Sequence, residues 1–113
     1  REGQAEAIVA RQIAASVPDE ARGIDAVIAY EPVWAIGTGL IPTSEDIQRM
    51  HGAIRTQLVE RFGDTGRVIR LLYGGSMKPA NARDILLVEN VNGGLVGGAS
   101  LLANDFYAII SAV

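Results

Sequence analysis

At 113 residues, 49% hydrophobic and 20% charged, the chain has the composition of a folded domain with enough apolar side chains for one core. Its net charge of -3 gives no basic surface for nucleic acid or an anionic membrane, so an anionic small ligand has to be held by local dipoles. With no cysteine and one histidine there is no disulfide framework or thiolate centre and no metal is expected; no apolar run spans a bilayer and no signal-peptide pattern is present, so a cytoplasmic protein is expected.

Residues 4–17 carry Ala5, Val9, Ile13 and Val17 four apart, with Glu6, Arg11 and Gln12 between them, and this spacing predicts an amphipathic helix. A polar connection holding Pro18 and Gly23 leads to residues 24–30, which are almost wholly apolar. A run without alternation predicts a strand covered on both faces and paired in parallel. Thr43 is suited to cap a second helix, with Glu45 and Asp46 in its first turn facing the positive end of the helix dipole. Ile47, Met50, Ile54, Leu58 and Phe62 then recur at helical spacing until Gly63, which makes Met50 a core residue. His51 flanks that stripe, and on position alone it reads as a structural or surface histidine.

Residues 67–73 are the second predicted strand, followed by Gly74-Gly75-Ser76 and a short helix over 79–87 with Pro79 in its first turn. Residues 91–96 are the third strand. A last helix after Gly97-Gly98 is expected to turn Leu102, Phe106, Ile109 and Ile110 inward. The order is α-β-α-β-α-β-α, which predicts an α/β fold of three parallel strands and four helices with right-handed crossovers. The pattern alone fits a doubly wound sheet as well as a barrel.

The chemistry is concentrated at strand ends. In Tyr30-Glu31-Pro32-Val33-Trp34-Ala35-Ile36-Gly37-Thr38-Gly39 a carboxylate stands at the tip of the first strand, and Pro32 holds the residue before it extended. A carboxylate kept among Tyr30, Val33, Trp34 and Ile36 loses hydration and abstracts protons more strongly when ionised. The three glycine-bearing turns all follow strands, at the ends where α/β folds place their sites. The backbone N–H groups of Gly37, Ser76, Gly97 and Gly98 are thereby expected to cradle a phosphate without Lys or Arg, aided by the helix start after Gly98. Taken singly, Glu31 reads as a solvated loop acid and each glycine pair as a tight turn; three turns in register with a strand-end acid reverse that reading.

The decapeptide resembles the lid segment of the triosephosphate isomerase family, and Leu72-Tyr73-Gly74-Gly75-Ser76 and Gly94-Leu95-Val96-Gly97-Gly98-Ala99-Ser100 match two further family stretches in the same order. The resemblance decides for the (β/α)8 barrel. Because such a barrel takes about 200 to 250 residues, it implies that residues 1–113 are a C-terminal fragment of a single TIM-barrel domain. It implies interconversion of dihydroxyacetone phosphate and glyceraldehyde 3-phosphate through an enediolate, with Glu31 as catalytic base and Gly37, Ser76, Gly97 and Gly98 binding the substrate phosphate. Val33, Trp34 and Ile36 belong to the lid, Tyr73 latches it when closed, and Leu95 joins Ile36 in an apolar clamp over the base. No cofactor, nucleic acid or membrane is implied, and the complete family protein is generally a homodimer of glycolysis and gluconeogenesis.

The chain departs from the family in what it lacks. The family's electrophilic histidine and active-site lysine have no counterpart here; His51 and Lys78 do not fill those places, and Leu40 stands at the second lid hinge where many members are basic. The fragment alone is therefore expected to be inactive. A non-catalytic phosphate-binding or assembly module is the alternative from another class, and a different phosphate-binding barrel enzyme lacks the Tyr-Glu-Pro-Val-Trp lid.

Overall fold

The structure, a computed structural model, describes residues 2–18, 26–32 and 42–113, with side chains from Glu6 onward. Among them are five α-helices and three strands: α1 (Glu2–Ser16), β1 (Val27–Tyr30), α2 (Ser44–Phe62), α3 (Asp64–Val68), β2 (Arg70–Tyr73), α4 (Pro79–Leu86), β3 (Gly93–Gly94) and α5 (Ala103–Ser111), with a 3-10 turn at Gly98–Leu101 before α5. The strands form one parallel sheet in the order β1-β2-β3. Val27 to Tyr30 pair with Arg70 to Tyr73, and Leu72 and Tyr73 pair with Gly93 and Gly94.

The fold class is the one expected, with one helix more. Residues 67–73 do not run as a single strand, because Asp64–Val68 closes a helical turn first and β2 begins only at Arg70. Gly66 makes this turn possible. A Cβ there would collide with the Leu58 carbonyl and lie 2.7 Å from Val59 N, so α3 rests directly on the backbone of α2. Residues 91–96 are likewise a strand only at Gly93–Gly94, but Asn92 N donates to Leu71 O at 2.8 Å and Leu95 N to Tyr73 O at 3.0 Å on either side.

Helix α2 organises the core. Thr43 caps it, accepting from Asp46 N through Oγ1 at 3.0 Å while Asp46 Oδ2 accepts from Thr43 N at 3.0 Å. That backbone hydrogen bond is the main reason the Asp46 carboxyl is held below its ordinary pKa. All five residues of its apolar stripe are buried. Met50, Ile54, Leu58 and Phe62 pack with Ile13 of α1 and with Tyr30, Ile69 and Leu71, while Ile47 joins Tyr73, Met77, Ala82, Ile85, Val91 and Ile109 in a second cluster. A side chain sealed as completely as Leu58 contributes about 1.5–3 kcal/mol.

Only one face of the sheet is covered by these helices. Along β1 the exposed Val27 and Ala29 alternate with Ile28 and Tyr30, so the expectation of two covered faces does not hold among the described residues. In α5 the inward set is also smaller than expected. Ile109 is buried at 4% exposure, whereas Leu102, Phe106 and Ile110 stand at 64%, 38% and 51%. The last two instead border an apolar groove of about 290 Å³ together with Leu87, Val96 and Val113. The helical period correctly marks an apolar side of α5, but the described residues leave most of it uncovered.

Candidate active site

Glu31 and Gly74 stand side by side at the tips of β1 and β2. Gly74 N donates to Tyr30 O at 2.7 Å, which carries the parallel pairing one step beyond the strands, and a Cβ on Gly74 would lie 3.5 Å from the Glu31 Cβ. The in-out alternation of β1 continues through exposed Glu31 and buried Pro32, so the carboxylate shares the uncovered side with Val27 and Ala29.

Next to this pair lies a cleft of about 630 Å³. One wall is the turn after β2, from Gly74 through Ser76 to Pro79; the other is Gly97, Gly98 and Ala99, with Asp105 of α5 at the margin. Glu31 does not itself line this cleft; its neighbour Gly74 does. None of the backbone hydrogen bonds among the described residues uses the N–H of Ser76, Gly97 or Gly98. Ser100 engages the Gly97 carbonyl, donating to it through its own N at 2.9 Å and through Oγ at 2.6 Å. Donors at the rim of a cleft with their carbonyls engaged elsewhere suit an anion. The expected helix start at Gly98 is a four-residue 3-10 turn, so no long helix dipole begins at the Gly97-Gly98 pair.

The remaining expected site residues divide cleanly. Tyr73 is buried at 2% and its ring lies beneath Gly75, while Leu95 is 57% exposed. Gly37 and the lid residues Val33, Trp34 and Ile36 lie outside the described residues. Lys78, the only lysine in the sequence, is exposed and lines the cleft.

His51 is fully buried, further inside than a flanking position suggests. Its ring meets Tyr30 edge-on at 5.9 Å and Tyr73 at 6.2 Å, so one side chain of α2 backs both strand tips. Nδ1 lies 3.1 Å from Asn90 O; a carbonyl only accepts, so Nδ1 carries the hydrogen and Nε2 is left buried without a partner. Burial is the main cause that lowers its pKa below the ordinary 6.5; the bond to Asn90 works against this, and the nearby charge of Arg55 adds to it. The unfolded chain therefore takes up a proton first as pH falls. Stability from this group is complete above pH 6.5 and declines below it towards the lowered folded value. Urea midpoints measured from pH 7.5 to 5 should fall more steeply for the wild type than for His51→Gln, and equal slopes would rule the histidine out as their source.

The family model of triosephosphate isomerase matches residues 1–113. This chain belongs to the triosephosphate isomerase family. The triosephosphate isomerase of Afipia carboxidovorans is 61% identical over 110 residues, a match covering 97% of this chain and 44% of that protein. That of Rhizobium etli is 58% identical over 112 residues, again covering 44% of its length. The crystal structure of triosephosphate isomerase from Bartonella henselae superposes with a TM-score of 0.83 at 45% identity, covering 95% of this chain and 43% of that one. The chain thus spans less than half the length of these relatives, and its three parallel strands are part of a barrel. The uncovered inner face of β1 follows from this: in a closed barrel that face looks onto other strands.

Proposed function

We propose that this chain is the part of a triosephosphate isomerase that carries the base and most of the phosphate cradle. The observation that supports this reading most directly is the shared cleft between Ser76 and the Gly97-Gly98 turn, opening beside the strand-end pair Gly74 and Glu31. In this reading the free N–H groups of Ser76, Gly97 and Gly98 bind the phosphate of a three-carbon α-hydroxy carbonyl substrate. Gly37 completes the cradle from the lid. Glu31 then takes a proton from one carbon and returns it to its neighbour, passing through an enediolate. The lid residues Val33, Trp34 and Ile36, latched through Tyr73 and packed on Leu95, exclude water from the base.

An enediolate needs its oxygens polarised. The one histidine here is buried behind the sheet, and Lys78 sits on the phosphate side of the cleft, so the polarising group comes from the remainder of the complete protein, as a cytoplasmic homodimer of central sugar metabolism. For the isolated chain this favours a second reading, an anion-binding module without turnover. Glu31 lies outside the cleft lining, which is the observation behind it.

A chimera separates the two readings. The chain replaces the matching segment of the Bartonella henselae enzyme, and isomerisation and solvent-deuterium exchange at the substrate carbon are measured. The chimera should turn over while the 113-residue chain alone does not. Glu31→Asp withdraws the carboxylate by about one methylene, and a misplacement near 1 Å lowers kcat by roughly 10²-fold. A folded chimera with no exchange, or Glu31→Asp kinetics within a few-fold of the parent, would defeat the catalytic reading.

A further inference from the structure

One side chain outside the proposed site holds the Ser76 turn in place. Asn81, at the third position of α4, accepts from Lys78 N through Oδ1 at 2.7 Å and donates through Nδ2 to Ser76 O at 3.3 Å. Its own N–H returns a bond to Lys78 O at 3.1 Å. Between the two anchored residues, Met77 is buried at 5%, and its Cε would lie 2.6 Å from a Cβ placed on Gly94. The bend over residues 76–78 is therefore fixed at both ends by one carboxamide and at its middle by the core, while Ser76 and Lys78 line the cleft.

From this arrangement we infer that Asn81 is a positioning residue for anion binding, setting the bend so that Ser76 N–H meets the same ligand as Gly97 and Gly98. The inference rests on the phosphate reading of the cleft. A carboxamide suits the bend, which presents one N–H and one C=O to it, because its oxygen accepts while its NH2 donates. An ordinary helix cap needs only the acceptor.

The test is an amide-resolved NMR titration of the 113-residue chain with inorganic phosphate. In the wild type the Ser76, Gly97 and Gly98 resonances should move along one binding curve. In Asn81→Ala the Ser76 response should vanish and the apparent Kd rise by about tenfold, the loss of roughly one hydrogen bond to a charged group. Gly97 and Gly98 continue to respond. Asn81→Asp keeps the acceptor for Lys78 N, and with it the cap, but loses the donor to Ser76 O; it should fold like the wild type and give no phosphate response at Ser76. A Ser76 response with wild-type Kd in either variant overturns the inference and leaves Asn81 a cap alone, as does unfolding of both variants. Silence of all three amides in the wild type is a different result: it removes the phosphate reading and this inference with it.

Discussion

Replacing Arg55 by methionine is expected to destabilise the chain by about 3–5 kcal/mol, much of what a small domain has. The guanidinium is a hub. From α2 it donates to Gly66 O at 2.7 Å and Ile69 O at 2.6 Å through one nitrogen, to Asn90 Oδ1 at 3.2 Å through Nε, and to Asn92 Oδ1 at 2.9 Å through the other. Asn92 Oδ1 also accepts from Leu71 N at 2.9 Å, which ties the hub into the sheet where β2 and β3 begin. Each of these acceptors is neutral, so the charge is spread over carbonyls, and partial burial lowers the arginine's pKa. Methionine preserves the apolar stem but leaves the Gly66 and Ile69 carbonyls without a donor, at about 1–3 kcal/mol each. Urea denaturation should show a much lower midpoint. Arg55→Lys, a point donor that cannot span four acceptors, should fall between. A midpoint for Arg55→Met equal to the wild type's would mean the hub contributes nothing.

Gly66→Ala should cost almost as much, about 2–4 kcal/mol, although alanine is the better helix former. The new methyl would sit 2.5 Å from the Leu58 carbonyl carbon and 2.7 Å from Val59 N, and these are main-chain atoms of α2 at a fully buried residue, which cannot swing aside as a side chain would. Relief requires α3 to lift off α2, which also pulls the Gly66 carbonyl away from Arg55. Gly52 is the internal control. It lies in α2 with nothing within 4 Å of an added Cβ, so Gly52→Ala should raise stability by about 0.5–1 kcal/mol. Thermal melts of the two variants should therefore move in opposite directions. If both gain, Gly66 is not a contact point between the helices.

What sequence reasoning reached was governed by range. The α2 stripe and its cap were legible because Ile47 to Phe62 and Thr43 with Asp46 interact within a few residues of one another. α3 was not, since a glycine and a β-branched valine disfavour it locally, and it forms through Leu58 and Arg55, eight and eleven residues from Gly66. In α5 the period of Leu102, Phe106 and Ile109 described a face without saying whether anything covers it. Strand-end position and family resemblance together pointed to Glu31, Ser76, Gly97 and Gly98, and the last three line one cleft. Asn81 and Arg55 were missed. For Asn81 a signal existed, a carboxamide three residues after the position preceding Pro79. For Arg55 there was none, because its partners Asn90 and Asn92 lie 35 and 37 residues away.

That separation bears on the order in which the chain acquires its shape. Helix α2 can coil as soon as it is synthesised, yet the arginine it carries finds its last partners only after nearly forty further residues have emerged. Docking of the third strand and closure of this clasp are then a single late event, so the rate of unfolding, more than that of folding, should register any weakening of it.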